Sequence, residues 1–172
     1  MASIGHIAVG MAAGRLLQTR IDPSVNARRW MVALALLSLV PDLDVIGFWL
    51  GIEYEDPFGH RGATHSIAFA VIAGLIGAAL AKPLKMKPLP LGLLLGGVML
   101  THPLLDMLTN GGLGCALFWP ANNERLFFPV TPIPVAPLGL GMLSKTGFLV
   151  VLVESVLFAP LFLYVTWPRK PR

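Results

Sequence analysis

Histidines and aspartates recur at metal-ligand spacing in a chain that carries few other charges. The four histidines are His6, His60, His65 and His102. Asp42 and Asp44 stand in the run PDLD, His60 and His65 bracket the run HRGATH, and His102 and Asp106 open and close the run HPLLD. Four residues apart, His102 and Asp106 share one helix face and aim at one centre. A non-helical turn at PDLD sends both of its aspartates to one centre, and irregular backbone at membrane depth is tolerated where it is buried in protein or lines a cavity. Neutral imidazole and carboxylate oxygen suit zinc or manganese, and the single cysteine, Cys115, argues against a thiolate-rich zinc site. Seven candidate ligands result: His6, Asp42, Asp44, His60, His65, His102 and Asp106. They exceed the needs of one tetrahedral ion, which points to two or three ions clamping the oxygens of a phosphoester while activating water.

Other polar residues have a chemical and a structural reading side by side. Arg61 has the planar fork suited to a phosphate, or it forms an ion pair with Asp56 or Glu53. Glu154, about a third of the way into an apolar run, is a general base or orienting carboxylate, or it hydrogen-bonds a neighbouring helix. Thr64 and Thr109 are placed to orient ligands. Ser66 reads as a helix N-cap rather than a nucleophile, because an activated water leaves no need for one. Arg125 meets a lipid head group or anchors its loop. His6 alone would be an interfacial hydrogen-bonding residue, PDLD alone a capped turn, and His102 with Asp106 alone a polar clasp between helices. Their convergence favours the metal site.

Elements that bring these residues together must cross a membrane. Of 172 residues 55% are hydrophobic and only 13% charged, about half the charge of a soluble domain, and mean hydropathy is +0.73. That composition excludes a disordered chain and a free-standing nucleic-acid binder, so no nucleic-acid partner is expected. The reading is one all-α domain over residues 1–172, a polytopic membrane bundle of about five helices. Apolar runs at 30–50, 66–81, 91–108 and 147–167 qualify as spans, the first of them broken at PDLD; a fifth, 4–17, reaches only about 21 Å. Residues 126–144 are apolar but carry Pro129, Pro132, Pro134 and Pro137, which predicts an extended outer loop.

Five crossings sort the basic residues. Arg15, Arg20, Arg28, Arg29, Lys82, Lys85, Lys87, Arg169, Lys170 and Arg172 fall on one side, and Arg61, Arg125 and Lys145 on the other. The positive-inside rule then puts the C-terminus in the cytoplasm and the histidines and aspartates on the outer side of a bacterial inner membrane.

His6, PDLD at 41–44, HRGATHS at 60–66 and HPLLDMLT at 102–109, followed by a Gly-containing loop and Trp119-Pro120, together resemble the YdjM-like family of membrane-bound metal-dependent hydrolases. The resemblance covers nearly the whole chain, and through it the chain is distantly similar to zinc-dependent phospholipase C and the P1-type nucleases. It implies His6, Asp42, His60, His65, His102 and Asp106 as ligands, with Asp44 a ligand or the base. The expected function is a phosphoesterase acting on a phospholipid or another lipid-linked phosphate, using zinc or, alternatively, manganese, with the bilayer as its standing partner. The leading rival is a divalent-cation transporter or channel using the same ligands. An intramembrane protease ranks lower for want of HExxH, and a scaffold stapled by metal is the remaining alternative.

Overall fold

The computed structural model describes residues 3–137 and 139–168; Arg169, Lys170 and Arg172, counted above on the cytoplasmic side, lie outside the described residues. Six α-helices carry the fold: α1 (Ile4–Leu16), α2 (Ala27–Leu37), α3 (Ile67–Leu80), α4 (Pro88–Asp106), α5 (Lys145–Leu157) and α6 (Ala159–Thr166). No strand occurs among the described residues, so the all-α expectation holds.

The helices pair as two hairpins, α1 with α2 and α3 with α4, which meet through α1 and α4; α5 and α6 close against α1. In a membrane, helices associate by close packing of small residues rather than by hydrophobic expulsion. Gly10 and Gly14 show this on α1: a Cβ at Gly10 would lie 2.3 Å from the Leu34 carbonyl oxygen, and one at Gly14 would lie 2.4 Å from the Met31 nitrogen. The α1 backbone therefore rests directly on α2. That contact sets His6 beside Ser38, whose hydroxyl lies 2.8 Å from the His6 carbonyl oxygen. Gly10→Val is expected to lower the thermal midpoint in detergent, with an overpacking cost of about 1–3 kcal/mol or more. Gly97→Ala, where an added Cβ meets nothing within 4 Å, is expected to leave it unchanged.

Span lengths differ from the expected five crossings. Two helical segments, Ala27–Leu50 and Pro88–Asp106, are long and apolar enough to cross a membrane by length and composition, and the bent pair α5–α6 makes a third if it counts as one span. At 14 residues α3 reaches only about 21 Å, short of an apolar layer of about 30 Å. The expected single span at 147–167 bends by 57° between α5 and α6, where Pro160 enters the first turn of α6 and cannot continue the ladder of α5.

The PDLD run also differs from expectation. Instead of a non-helical turn, it begins a 3₁₀ helix, Val40–Leu50, with Pro41 in the first turn, where its missing N–H costs nothing. With three residues per turn, Asp42 and Asp44 point about 120° apart and meet different nitrogens of the one neighbour they share, His65. Ser66 does cap α3, accepting from the Phe69 amide at 3.1 Å, a contact worth about 1 kcal/mol. The Pro-rich stretch is irregular as expected, apart from the 3₁₀ turn Gly139–Leu143. It is pinned to the end of α4: the Asn110 amide donates to the Ile133 carbonyl, the Ile133 amide to Leu108, and the Val135 amide to Asn110 Oδ1.

Candidate metal centre

Where α1, the end of α2, the HRGATH loop and the last turns of α4 meet, four side chains converge. His65 Nε2 and His102 Nε2 are 3.1 Å apart. Asp42 Oδ1 is 3.7 Å from His65 Nε2 and 3.3 Å from His102 Nε2. Asp106 Oδ2 is 3.4 Å from His65 Nε2 and 3.7 Å from His102 Nε2. A four-coordinate ion with nitrogen and oxygen ligands at about 2.0–2.2 Å holds those atoms about 3.3–3.6 Å apart, so the side chains are close enough to hold an ion. A second group, Asp44, His60 and His65, shares His65 with the first.

The outer nitrogens of the imidazoles are already secured. His102 Nδ1 donates to the Ser38 carbonyl at 2.7 Å, which leaves Nε2 as the lone-pair nitrogen. His60 Nδ1 bonds Asp44 Oδ1 at 2.6 Å, and His65 Nδ1 lies 3.2 Å from Asp44 Oδ2. Asp44 also accepts from the Arg61 amide at 3.1 Å and the Thr64 hydroxyl at 2.7 Å. A carboxylate holding the far nitrogen of a ligating histidine fixes its tautomer and raises its basicity. The divergence of Asp42 and Asp44 on the 3₁₀ helix puts Asp42 in the first group and Asp44 in the second.

The cluster carries a surplus of negative charge that a cation would offset. His6, His65, His102 and Asp106 are buried, as are His60 and Arg61, and only Asp42, at 30% side-chain exposure, reaches the cavity mouth. Three carboxylates against the one guanidinium of Arg61 leave two negative charges in surplus, and buried charge is costly unless paired. His65 answers part of this in the cation-free protein. Burial disfavours its imidazolium, yet the hydrogen bonds it donates to Asp106, Asp42 and Asp44 lift its pKa to about 10. A cation taking His65 as a ligand would need the neutral imidazole and would have to expel its proton. Cation affinity is therefore expected to rise with pH through the neutral range, by up to about tenfold per unit. Calorimetric titration in buffers of different ionisation enthalpy would show the released proton.

The remaining predicted site residues fall into place around this core. His6 stacks on His102 with ring centroids 3.7 Å apart and lies 3.4 Å from Asp106 Oδ1 through Nε2; both of its nitrogens are buried without a hydrogen-bond partner. Arg61 pairs with neither Asp56 nor Glu53 in the way sequence suggested: its Nε lies 3.4 Å from Asp106 Oδ2, while Nη1 donates to the Gly111 carbonyl and Nη2 to Thr109 Oγ1. Thr109 in turn donates to the Asp106 carbonyl. Glu154 accepts from the Gly5 amide at 3.2 Å, a hydrogen bond between helices one residue from His6. Arg125 anchors its loop, donating to the His60, Tyr54 and Asp56 carbonyls at 2.7, 2.8 and 3.0 Å. Sequence reading missed Ser38 and Tyr54. Ser38 was detectable as a small polar residue in an apolar run just before PDLD; Tyr54 carries no comparable signal.

Beside the centre a cavity of about 410 Å³ opens, lined by the polar Asp42, Tyr54, His60, Arg61 and Asp106 and by apolar residues that include Val135 and Met142. That mixed lining suits an amphipathic molecule.

A family model described as YdjM inner membrane protein matches residues 1–170. Inner membrane protein YbcI of Escherichia coli (strain K12) is 36% identical over 138 residues, a stretch that covers 80% of this chain and 78% of that protein. No solved structure matches the chain.

Proposed function

The chain belongs to the YdjM inner membrane protein family, and with that as the premise we propose that it is a membrane-embedded metal-dependent phosphoester hydrolase acting on a phospholipid or another lipid-linked phosphate. The observation that carries the reading is the cluster of His65, His102, Asp42 and Asp106, close enough to hold an ion, with Asp42 and Asp106 reaching a cavity of mixed polar and apolar lining. Zinc suits the spacing and the donor set, manganese being the alternative. Bound there, the ion supplies Lewis acidity and an activated water.

The chain's own residues prepare that chemistry. Asp44 and the Ser38 carbonyl hold three imidazoles with Nε2 as the lone-pair nitrogen. Arg61 offsets the charge of Asp106, and with only one Nη1 and one Nη2 hydrogen engaged by Gly111 and Thr109 its fork keeps donors for a phosphoryl oxygen. His6 Nε2 beside Asp106 Oδ1 offers a second cation position that shares Asp106, which supports more than one ion. The apolar lining of the cavity receives the apolar part of the substrate.

Orientation follows from charge. Arg15, Arg20, Arg28, Arg29, Lys82, Lys85 and Lys87 stand at the helix ends remote from the centre, so the positive-inside rule turns the centre outward. Lipid then reaches it laterally from the outer leaflet.

The test uses the purified zinc-loaded protein in detergent with a panel of phospholipids and lipid phosphates. Release of phosphate or head group is expected. A protein that retains stoichiometric metal and releases neither from any lipid overturns the hydrolase, and zinc uptake into proteoliposomes would then favour the transporter.

A further inference from the structure

Arg61 gives one Nη1 hydrogen to the Gly111 carbonyl and one Nη2 hydrogen to Thr109 and keeps the rest of its fork, so the several oxygens of a phosphoryl substrate call for a second donor beside it. Six polar residues line the cavity: Ser3, Asp42, Tyr54, His60, Arg61 and Asp106. The two carboxylates only accept. His60 gives its Nδ1 proton to Asp44, so it brings an acceptor nitrogen to the cavity. Ser3 is exposed at the start of α1, where nothing fixes its hydroxyl as a cap.

Tyr54 is different. Its ring is held on three sides, edge-on to His60 with centroids 5.2 Å apart, against Phe48 at 6.0 Å, and under the Arg125 guanidinium at 5.6 Å. Its hydroxyl lies at the cavity wall. An added Cβ on Gly112, another lining residue, would be 2.9 Å from Tyr54 Oη and 3.0 Å from Arg61 Nη1. Gly112 has φ +84°, a left-handed conformation that favours glycine, and its bare Cα leaves the room in which the phenol and the guanidinium come together. A phenol keeps its proton at neutral pH and gives a directional hydrogen bond from a side chain with little freedom to lose.

We infer that Tyr54 donates a hydrogen bond to a phosphoryl oxyanion bound beside the metal centre. This deepens the phosphoesterase reading and rests on it for the choice of ligand. The placement suits an oxyanion because a preformed donor in a water-poor site needs no reorganisation when charge gathers on the oxygen.

Inorganic phosphate binding to the zinc-loaded protein, wild type against Tyr54→Phe, tests it by calorimetry. The phenylalanine keeps the packing on His60, Phe48 and Arg125 and gives up only the hydroxyl's bond to the Leu113 backbone, so zinc content is expected to stay the same and the thermal midpoint to fall slightly. The phosphate dissociation constant is expected to rise about tenfold or more, the ordinary size of a hydrogen bond to a charged acceptor. Short-chain phosphatidate run as a second arm is expected to lose affinity in the same way, and tighter binding than phosphate marks a lipid as the natural source of the oxyanion. One readout needs no variant: with ring-labelled tyrosine, phosphate is expected to shift the Tyr54 resonance and leave Tyr164 in place. Equal phosphate affinity in the two proteins, a Tyr54 resonance that does not move, or no phosphate binding by the wild type each overturns the inference. Weakened binding in Tyr54→Phe together with an absence of lipid turnover keeps the inference and removes the hydrolase.

Discussion

His102→Ala is expected to reduce the zinc content of the purified protein from stoichiometric to near zero. His102 brings three contacts to the centre at once: Nε2 stands 3.1 Å from His65 Nε2 and 3.3 Å from Asp42 Oδ1, Nδ1 is anchored on Ser38, and the ring face covers His6. Removing an orienting partner of a metal ligand costs about 10–100-fold in affinity, and removing the ligand itself costs more. The alanine also leaves a void under His6 and the Ser38 carbonyl without its donor, so some loss of stability accompanies the loss of metal. Two measurements separate these effects. Elemental analysis reads the metal, and thermal unfolding of metal-stripped wild type gives the stability that the cation alone contributes. A variant that keeps a full complement of zinc would remove His102 from the shell and with it the four-ligand geometry.

The sequence reveals this centre more readily than it reveals the helices around it. Ionisable residues in an apolar chain are conspicuous because burying them is expensive, so His6, Asp42, His65, His102 and Asp106 stand out before any coordinates are seen. The i, i+4 spacing of His102 and Asp106 fixes a shared face for any helix, and they do meet. Apolar length is a poorer guide. It suggested five crossings, whereas proline at position 160 bends one run and α3 stops at 14 residues. Periodicity also fails at PDLD: a turn and a 3₁₀ helix both accommodate Pro41, yet they send Asp44 in different directions. Arg61 illustrates a different limit. Beside the phosphate reading, its neighbours in sequence, Glu53 and Asp56, were the structural partners on offer, but the carboxylate it meets lies on α4, and only tertiary packing brings it within 3.4 Å.

Asp44 is where the competing roles of ligand, base and orienting group can be separated, and Asp44→Asn is expected to weaken zinc binding about 10–100-fold while the protein stays folded. The carboxylate meets donors through both oxygens: His60 Nδ1 on Oδ1, and on Oδ2 the Thr64 hydroxyl, the Arg61 amide and His65 Nδ1. An amide offers one accepting oxygen, and its NH₂ would confront donors on the other side. Either His60 or His65 must then move its proton from Nδ1 to Nε2 to satisfy the amide, and a protonated Nε2 cannot ligate. Because His65 belongs to both groups, its loss of basicity reaches the shell of Asp42, His102 and Asp106 without a direct contact from Asp44. The effect is expected to be non-additive with His65→Ala, since once that imidazole is gone Asp44 has less left to orient. A base would behave differently: Asp44→Asn would leave zinc affinity untouched and remove turnover by about 10²–10⁴-fold. Zinc titration of the single and double variants beside their lipid turnover distinguishes the two, and unaltered affinity in Asp44→Asn would return Asp44 to the chemistry itself.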